Sequence, residues 1–255
     1  MRKFRLLLSS LVVALVGGAI VAPGASALPS GYYSVPYSDV LISHYHFPDG
    51  STVSYDASYE DWSRDGFPTP SRAPVSYVKY PWSPSIYAVS FFDSGREDWY
   101  WTQLTYEQWQ RAGAPRAQNA GWIEGSSFYR WASSAELFVE GPDGSIHKLT
   151  HGEWADSGFY PPTTQWSSGF YKYPWSSSIG YLYDTRSGAG WQISYAEWRN
   201  EGFPTPQTVS HVVGEEVWKS RYSPQLYLDS PIVGLWHPLT GPQWAALGYP
   251  SPRVY

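Results

Sequence analysis

The chain has 255 residues, among them 15 Trp, 22 Tyr and 10 Phe but no Cys, and a formal charge of −5. Without cysteine there is no disulfide framework, thiolate metal site, lipid-anchored N-terminal Cys or thiol nucleophile, so stability must come from packing flat aromatic side chains. Once Arg2, Lys3 and Arg5 are removed the charge falls to about −8, which argues against phosphate-backbone binding and therefore against nucleic acid as a partner.

Residues 1–27 read as a secretory signal. Arg2, Lys3 and Arg5 supply a positive start, Leu6 to Val21 an apolar run, and Ala25-Ser26-Ala27 a small-residue cleavage site. The apolar run is nearly long enough for an uncleaved anchor, but Gly17, Gly18, Pro23 and the Ala-x-Ala ending favour cleavage. The expectation is a secreted chain over 28–255 with no further membrane-spanning segment.

Along that chain one phrase recurs five times, centred on Trp62, Trp109, Trp154, Trp198 and Trp244 at spacings of 47, 45, 44 and 46 residues. The repeats, near 30–72, 73–118, 119–164, 165–208 and 209–255, occupy essentially all of it and leave no room for a separate catalytic domain.

Each repeat opens with extended stretches. The plainest are Tyr77 to Val89 and Phe170 to Leu182, with weaker copies around Ser34 to Leu41, Arg130-Trp131 and Lys219 to Tyr227. Alternating aromatic or branched residues bounded by Pro, Ser and Gly predict short strands. A further strand precedes the helix, as in Trp99 to Leu104 and Trp191 to Ile193. Turns such as Pro48-Asp49-Gly50-Ser51 and Pro142-Asp143-Gly144-Ser145 lead into such strands.

A capping box then starts a short helix: Ser58 with Asp61, Thr105 with Gln108, Thr150 with Glu153, Ser194 with Glu197, and Thr240 with Gln243. Asp61 is the short, imperfect member. The repeated Trp sits at the fourth helical position, where a staple to Ala57, Leu104, Leu149, Ile193 or Leu239 is expected. Gly66, Gly113, Gly158, Gly202 and Gly248 end the helix, with Pro68, Pro115, Pro161, Pro204 and Pro250 just beyond.

Three or four short strands and one helix cannot bury their own apolar face, so the copies must stack. A period of about 45 residues with several strands predicts an all-β fold, a single five-bladed β-propeller. An open string of modules is the competing architecture. Arg253-Val254-Tyr255 is expected to pair near Tyr32-Tyr33 and close the ring.

Catalytic signatures are missing: there is no G-x-S-x-G elbow, H-E-x-x-H or phosphate-cradling glycine loop. Propeller glycosidases draw their acids from separate blades, so Asp39, Asp49, Asp93, Glu97, Asp98, Glu124, Glu136, Asp143, Asp184 and Glu215 cannot be paired by spacing. His44-x-His46 places two imidazoles on one strand face, half a metal site without an identifiable third ligand. Two polar side chains on a solvent-facing strand need no metal, and no metal or cofactor is expected. The remaining chemistry lies in aromatic-basic clusters: Lys79, Tyr80 and Trp82; Trp131 beside Arg130; Lys172, Tyr173 and Trp175; and Tyr222 near Lys219. Flat rings flanked by hydrogen-bonding groups suit sugar faces, and repetition would combine several weak sites. The bland alternative is that these rings pack between blades while their basic heads reach solvent.

The phrase from Trp82 to Tyr87 followed by Leu104 to Pro115 resembles repeats of secreted actinobacterial proteins, sometimes appended to cell-wall hydrolases. The overall plan is similar to five-bladed propeller lectins, whose blade motifs are not matched. The copies also diverge: Gly180 stands where the second repeat has Tyr87, and Ala132-Ser133 replace Pro81-Trp82. The resemblance implies a noncatalytic module associated with the envelope or with external polysaccharide. The expected function is therefore a monomeric, lectin-like glycan binder; an extracellular protein-interaction scaffold and a propeller-type glycan hydrolase are the alternatives.

Overall fold

The computed structural model describes residues 27–92 and 99–255. Residues 1–26 of the expected signal segment and the carboxylates Asp93, Glu97 and Asp98 lie outside the described residues.

Among the described residues the chain is mostly β, with one four-stranded sheet in each of the five repeats. The first contains β1 (Gly31–Ser34), β2 (Ile42–His46), β3 (Thr52–Asp56), α1 (Tyr59–Arg64) and β4 (Ser71–Arg72). The second contains β5 (Val75–Lys79), β6 (Tyr87–Phe91), β7 (Trp99–Gln103), α2 (Tyr106–Arg111) and β8 (Gln118–Asn119). The third runs β9 (Ser127–Trp131), β10 (Leu137–Glu140), β11 (Ile146–Leu149), α3 (His151–Asp156) and β12 (Thr163–Gln165). The fourth is β13 (Gly169–Lys172), β14 (Ile179–Asp184), β15 (Ala189–Ile193), α4 (Tyr195–Asn200) and β16 (Gln207–Thr208). The fifth is β17 (Glu216–Lys219), β18 (Leu226–Ser230), β19 (Gly234–Leu239), α5 (Gly241–Ala246) and β20 (Arg253–Val254).

Every sheet has the order third, second, first, fourth strand. The first three strands form an antiparallel meander, and the short fourth strand returns parallel to the first, as in Tyr33↔Ser71 and Thr163↔Tyr129. The C-terminal expectation is corrected by this topology. β20 does not pair near Tyr32-Tyr33; it pairs with β17 through Trp218↔Arg253 and Lys219↔Val254, while β1 is flanked by β2 and β4. Each helix reverses the chain, so the segment after it lies beside its own repeat's first strand.

The helix signals appear where the local chemistry demands them. Thr105, Ser194 and Thr240 close reciprocal capping boxes, and Thr150 exchanges the same two bonds with Glu153 at 2.7 and 3.2 Å. Each such cap contributes about 1 kcal/mol. Asp61 is too short to complete the fifth box: Ser58 Oγ accepts from its backbone N–H, but the Asp61 carboxylate takes the Ser58 hydroxyl at 2.6 Å and Arg64 at 2.9 Å. The expected hairpin turns form too, with Gly50 N–H donating to Phe47 and Gly144 N–H to Gly141.

The chain divides into two compact units, one reaching Trp122 and including Ala155–Gly158, the other comprising Ile123–Trp154 and Phe159–Tyr255. In the first, Tyr33, Val35, Tyr37 and Ile42 of the first repeat share a core with Ala88 and Phe92 of the second. In the second, Tyr129, Trp131 and Phe138 meet Phe170, and Tyr173 meets Val217, Leu228, Ile232 and Leu247. Within each unit a core therefore forms between neighbouring sheets, as the small size of one repeat requires. Full burial of a Leu, Ile or Phe side chain is worth roughly 1.5–3 kcal/mol. Gly180 marks one such junction, because a Cβ there would stand 2.6 Å from the Pro231 carbonyl oxygen and 2.8 Å from Ile232 Cα. That approach leaves no room for the ring found at Tyr87.

Candidate functional site

The aromatic-basic clusters sit deeper than platforms require. Tyr80, Tyr173 and Trp131 are 1%, 0% and 8% exposed, so their rings face the interior. Half-buried Trp82 stacks on Tyr80 at 4.6 Å and 13°, and half-buried Trp175 on Tyr173 at 4.8 Å and 8°. Lys79 and Lys172 end strands and are likewise half-buried. Tyr222 alone among these residues is open, 90% exposed with the Arg221 guanidinium 6.0 Å above its ring. The Tyr173 hydroxyl hydrogen-bonds Glu215 and lies 2.8 Å from Ser230 Oγ; burial, then the Glu215 bond, raise it well above an ordinary phenol. The pairs are brought together as core.

Most candidate carboxylates have structural partners. Arg111 donates to Asp39, hairpin residues Ser51 and Ser145 donate to Asp49 and Asp143, Ser187 donates to Asp184, and Thr205 with Lys148 donates to Glu136. Glu124 is exposed, although partial burial still raises its carboxyl. The histidine expectation is corrected. His44 is only 1% exposed, stacked on Phe92 at 4.9 Å, with Nδ1 2.9 Å from Ser54 Oγ and Nε2 3.0 Å from His46 Nε2. Among the described residues no group of three or more His, Asp or Glu could hold a metal ion.

The exposed chemistry stands instead around the repeated tryptophans. The first helical residue is Tyr59, Tyr106, His151, Tyr195 or Gly241, three positions before the Trp and therefore on the same face. Beyond the helix, Phe67, Ala114, Phe159, Phe203 and Tyr249 follow the terminating glycine, all left-handed with φ between 51° and 57°. Each donates its backbone N–H to the carbonyl of its repeat's Trp at 3.0–3.1 Å. The indole N–H in turn donates to the carbonyl six residues later: Pro68, Pro115, Tyr160, Pro204 and Pro250, at 2.8–3.0 Å. Phe67, Phe159, Phe203 and Tyr249 stand edge-on to the Trp ring, centroids 5.0 Å apart and planes 84–89°.

The Trp is thus a fixed post holding outward rings. Tyr59, Tyr106 and Tyr195 are 67–72% exposed, and Phe67, Phe159 and Tyr249 are 49–61% exposed. Tyr59 lies 5.7 Å from Phe67, as Tyr195 does from Phe203 and, at 5.8 Å, His151 from Phe159. The second repeat lacks one ring at Ala114 and the fifth at Gly241. A bulky residue held left-handed costs about 1–3 kcal/mol, and such strain concentrates where side chains serve a ligand. Tilted apolar faces with hydroxyl edges can stack on C–H surfaces and hydrogen-bond nearby hydroxyls. This set was visible in the repeat as an aromatic after four of the five caps and four of the five glycines, but those positions are also turn positions, where rings carry no periodic signal.

Comparison with protein-family models, with curated proteins and with solved structures finds no match to this chain. Among the described residues no helix is long and apolar enough to cross a membrane.

Proposed function

We propose that the chain is a secreted, monomeric, five-bladed β-propeller that binds carbohydrate without turnover, recognising cell-wall or other extracellular glycans through its repeated aromatic sets. The observation that carries this reading is the recurrence of exposed rings fixed around a hydrogen-bonded Trp, with left-handed aromatics in four repeats, three of them exposed and Phe203 half-buried. Several weak stacking sites acting together would bind a polymer that each alone would hold poorly. Five sheets of one topology support the propeller plan, and the resemblance to actinobacterial wall-associated repeats points to envelope polysaccharide as the ligand class.

The test is incubation of the mature protein with purified cell walls and insoluble polysaccharides, measuring pelleted protein and released sugar. Retention without release is the expected result. Release would make the protein a hydrolase, and neither retention nor release would favour a protein partner. Ring closure is tested separately: a closed propeller unfolds in one transition, whereas a string of modules loses repeats independently.

A further inference from the structure

The second compact unit contains a cleft of about 610 Å³ that none of the repeated aromatic sets requires. Tyr129, Trp131 and Tyr160 line it together with Glu140 and Glu201, and Gln165 adds a polar group. Glu140 ends β10 and Glu201 caps the C-terminus of α4, so two different repeats supply the carboxylates. Among the described residues neither carboxylate is hydrogen-bonded or ion-paired, whereas Glu136, Glu153, Glu197, Glu215 and Glu216 all have such partners. Burial first, and then the charge of Glu140, hold the Glu201 carboxyl above its ordinary range, with no cation offsetting them. An independent unmet group lies in the same wall. Trp131 is 8% exposed, and its buried indole N–H has no acceptor among the described residues.

Like charges in an aromatic-lined recess are costly unless a cation joins them. A cation there gains from both carboxylates and from ring faces. A bare metal ion suits this site poorly, because it lacks a third charged ligand and its walls are rings. A ligand with an ammonium group, an apolar face and acceptor hydroxyls matches the carboxylates, the rings and the unmet N–H together. We propose that the cleft bounded by Glu140 and Glu201 binds an amino sugar, a glycan unit whose amine is free and protonated. The proposal goes beyond the helix-end sites and does not depend on their binding anything.

The test is calorimetric titration of the full mature protein with a glucosamine tetramer and, separately, with its fully N-acetylated counterpart. Selective binding of the free amine is expected, weakened at least tenfold by Glu140→Gln or Glu201→Gln. Equal binding of the two tetramers, no binding of either, or Gln variants that bind normally would overturn the proposal. Release of shorter oligomers, abolished by Glu201→Gln, would also overturn it by making the cleft hydrolytic. Should a Gln variant fail to fold, the tetramer comparison on the unaltered protein still decides, because acetylation converts the ammonium into a neutral amide and so removes the charge the carboxylates would pair with. Pelleting on neutral insoluble polysaccharide, lost in Tyr59→Ala but not in Glu201→Gln, separates failure of this site from failure of the aromatic sets.

Discussion

Glu136 of the third repeat clasps Thr205 of the fourth: its carboxylate accepts the Thr205 backbone N–H and hydroxyl, both at 2.7 Å, and Lys148 Nζ closes the group at 3.1 Å. Burial alone would raise the Glu136 carboxyl, but the two Thr205 bonds and Lys148 together outweigh it and hold the group below its usual range. A depressed carboxyl contributes stability that is present above its unfolded pKa and lost as pH falls through the folded one. Glu136→Gln should therefore lose about 1–3 kcal/mol near neutral pH, with the difference fading at an acid pH below the usual glutamate range, as the depressed folded group takes up its proton. Urea unfolding of both proteins at the two pH values checks this.

Trp198 donates its indole N–H to the buried Pro204 carbonyl at 2.8 Å. Trp198→Phe preserves much of the ring but leaves that acceptor unmet, so a loss of about 1–3 kcal/mol is expected in chemical denaturation. Trp109→Phe, whose acceptor Pro115 is only partly buried, should cost less, because water can replace the donor.

At the helix ends stability and binding should separate. Tyr59→Ala removes an exposed ring and should move stability by no more than about 0.5 kcal/mol. Phe67→Gly relieves a left-handed backbone but forfeits the edge contact with Trp62, two effects of about 1 kcal/mol and opposite sign. Both variants should nevertheless reduce retention on insoluble polysaccharide. Loss of retention with a nearly unchanged melting curve is the expected outcome.

Two glycines should respond in opposite directions to alanine. At Gly180 the new Cβ meets the Pro231 carbonyl and Ile232 backbone, so Gly180→Ala should destabilise by about 1–3 kcal/mol or more. Gly241 opens α5 with nothing within 4 Å of a new Cβ, and Gly241→Ala should stabilise by up to about 1 kcal/mol. Thermal unfolding of the pair measures both.

What the sequence determined by itself is whatever is completed within a few residues. The caps, the two-turn limit on each helix, the imperfect box at Asp61 and the hairpins at Asp49 and Asp143 depend on local hydrogen bonds and backbone preferences, and all are present. The need for stacking was equally legible, because a repeat of this size cannot enclose a core. Tertiary structure alone decided which partner each surface meets. Tyr80 and Tyr173 could equally have faced a ligand, since an aromatic at a strand end has the same local pattern buried or exposed; packing put them inside and left Tyr59 and Tyr195 out. The same holds for the final strand, whose two residues carry no information about which edge they join until α5 turns them back onto β17. Glu140 and Glu201 likewise share a cleft only because neighbouring repeats stack, a proximity set by side-chain volume across the sheet interface and not by spacing along the chain.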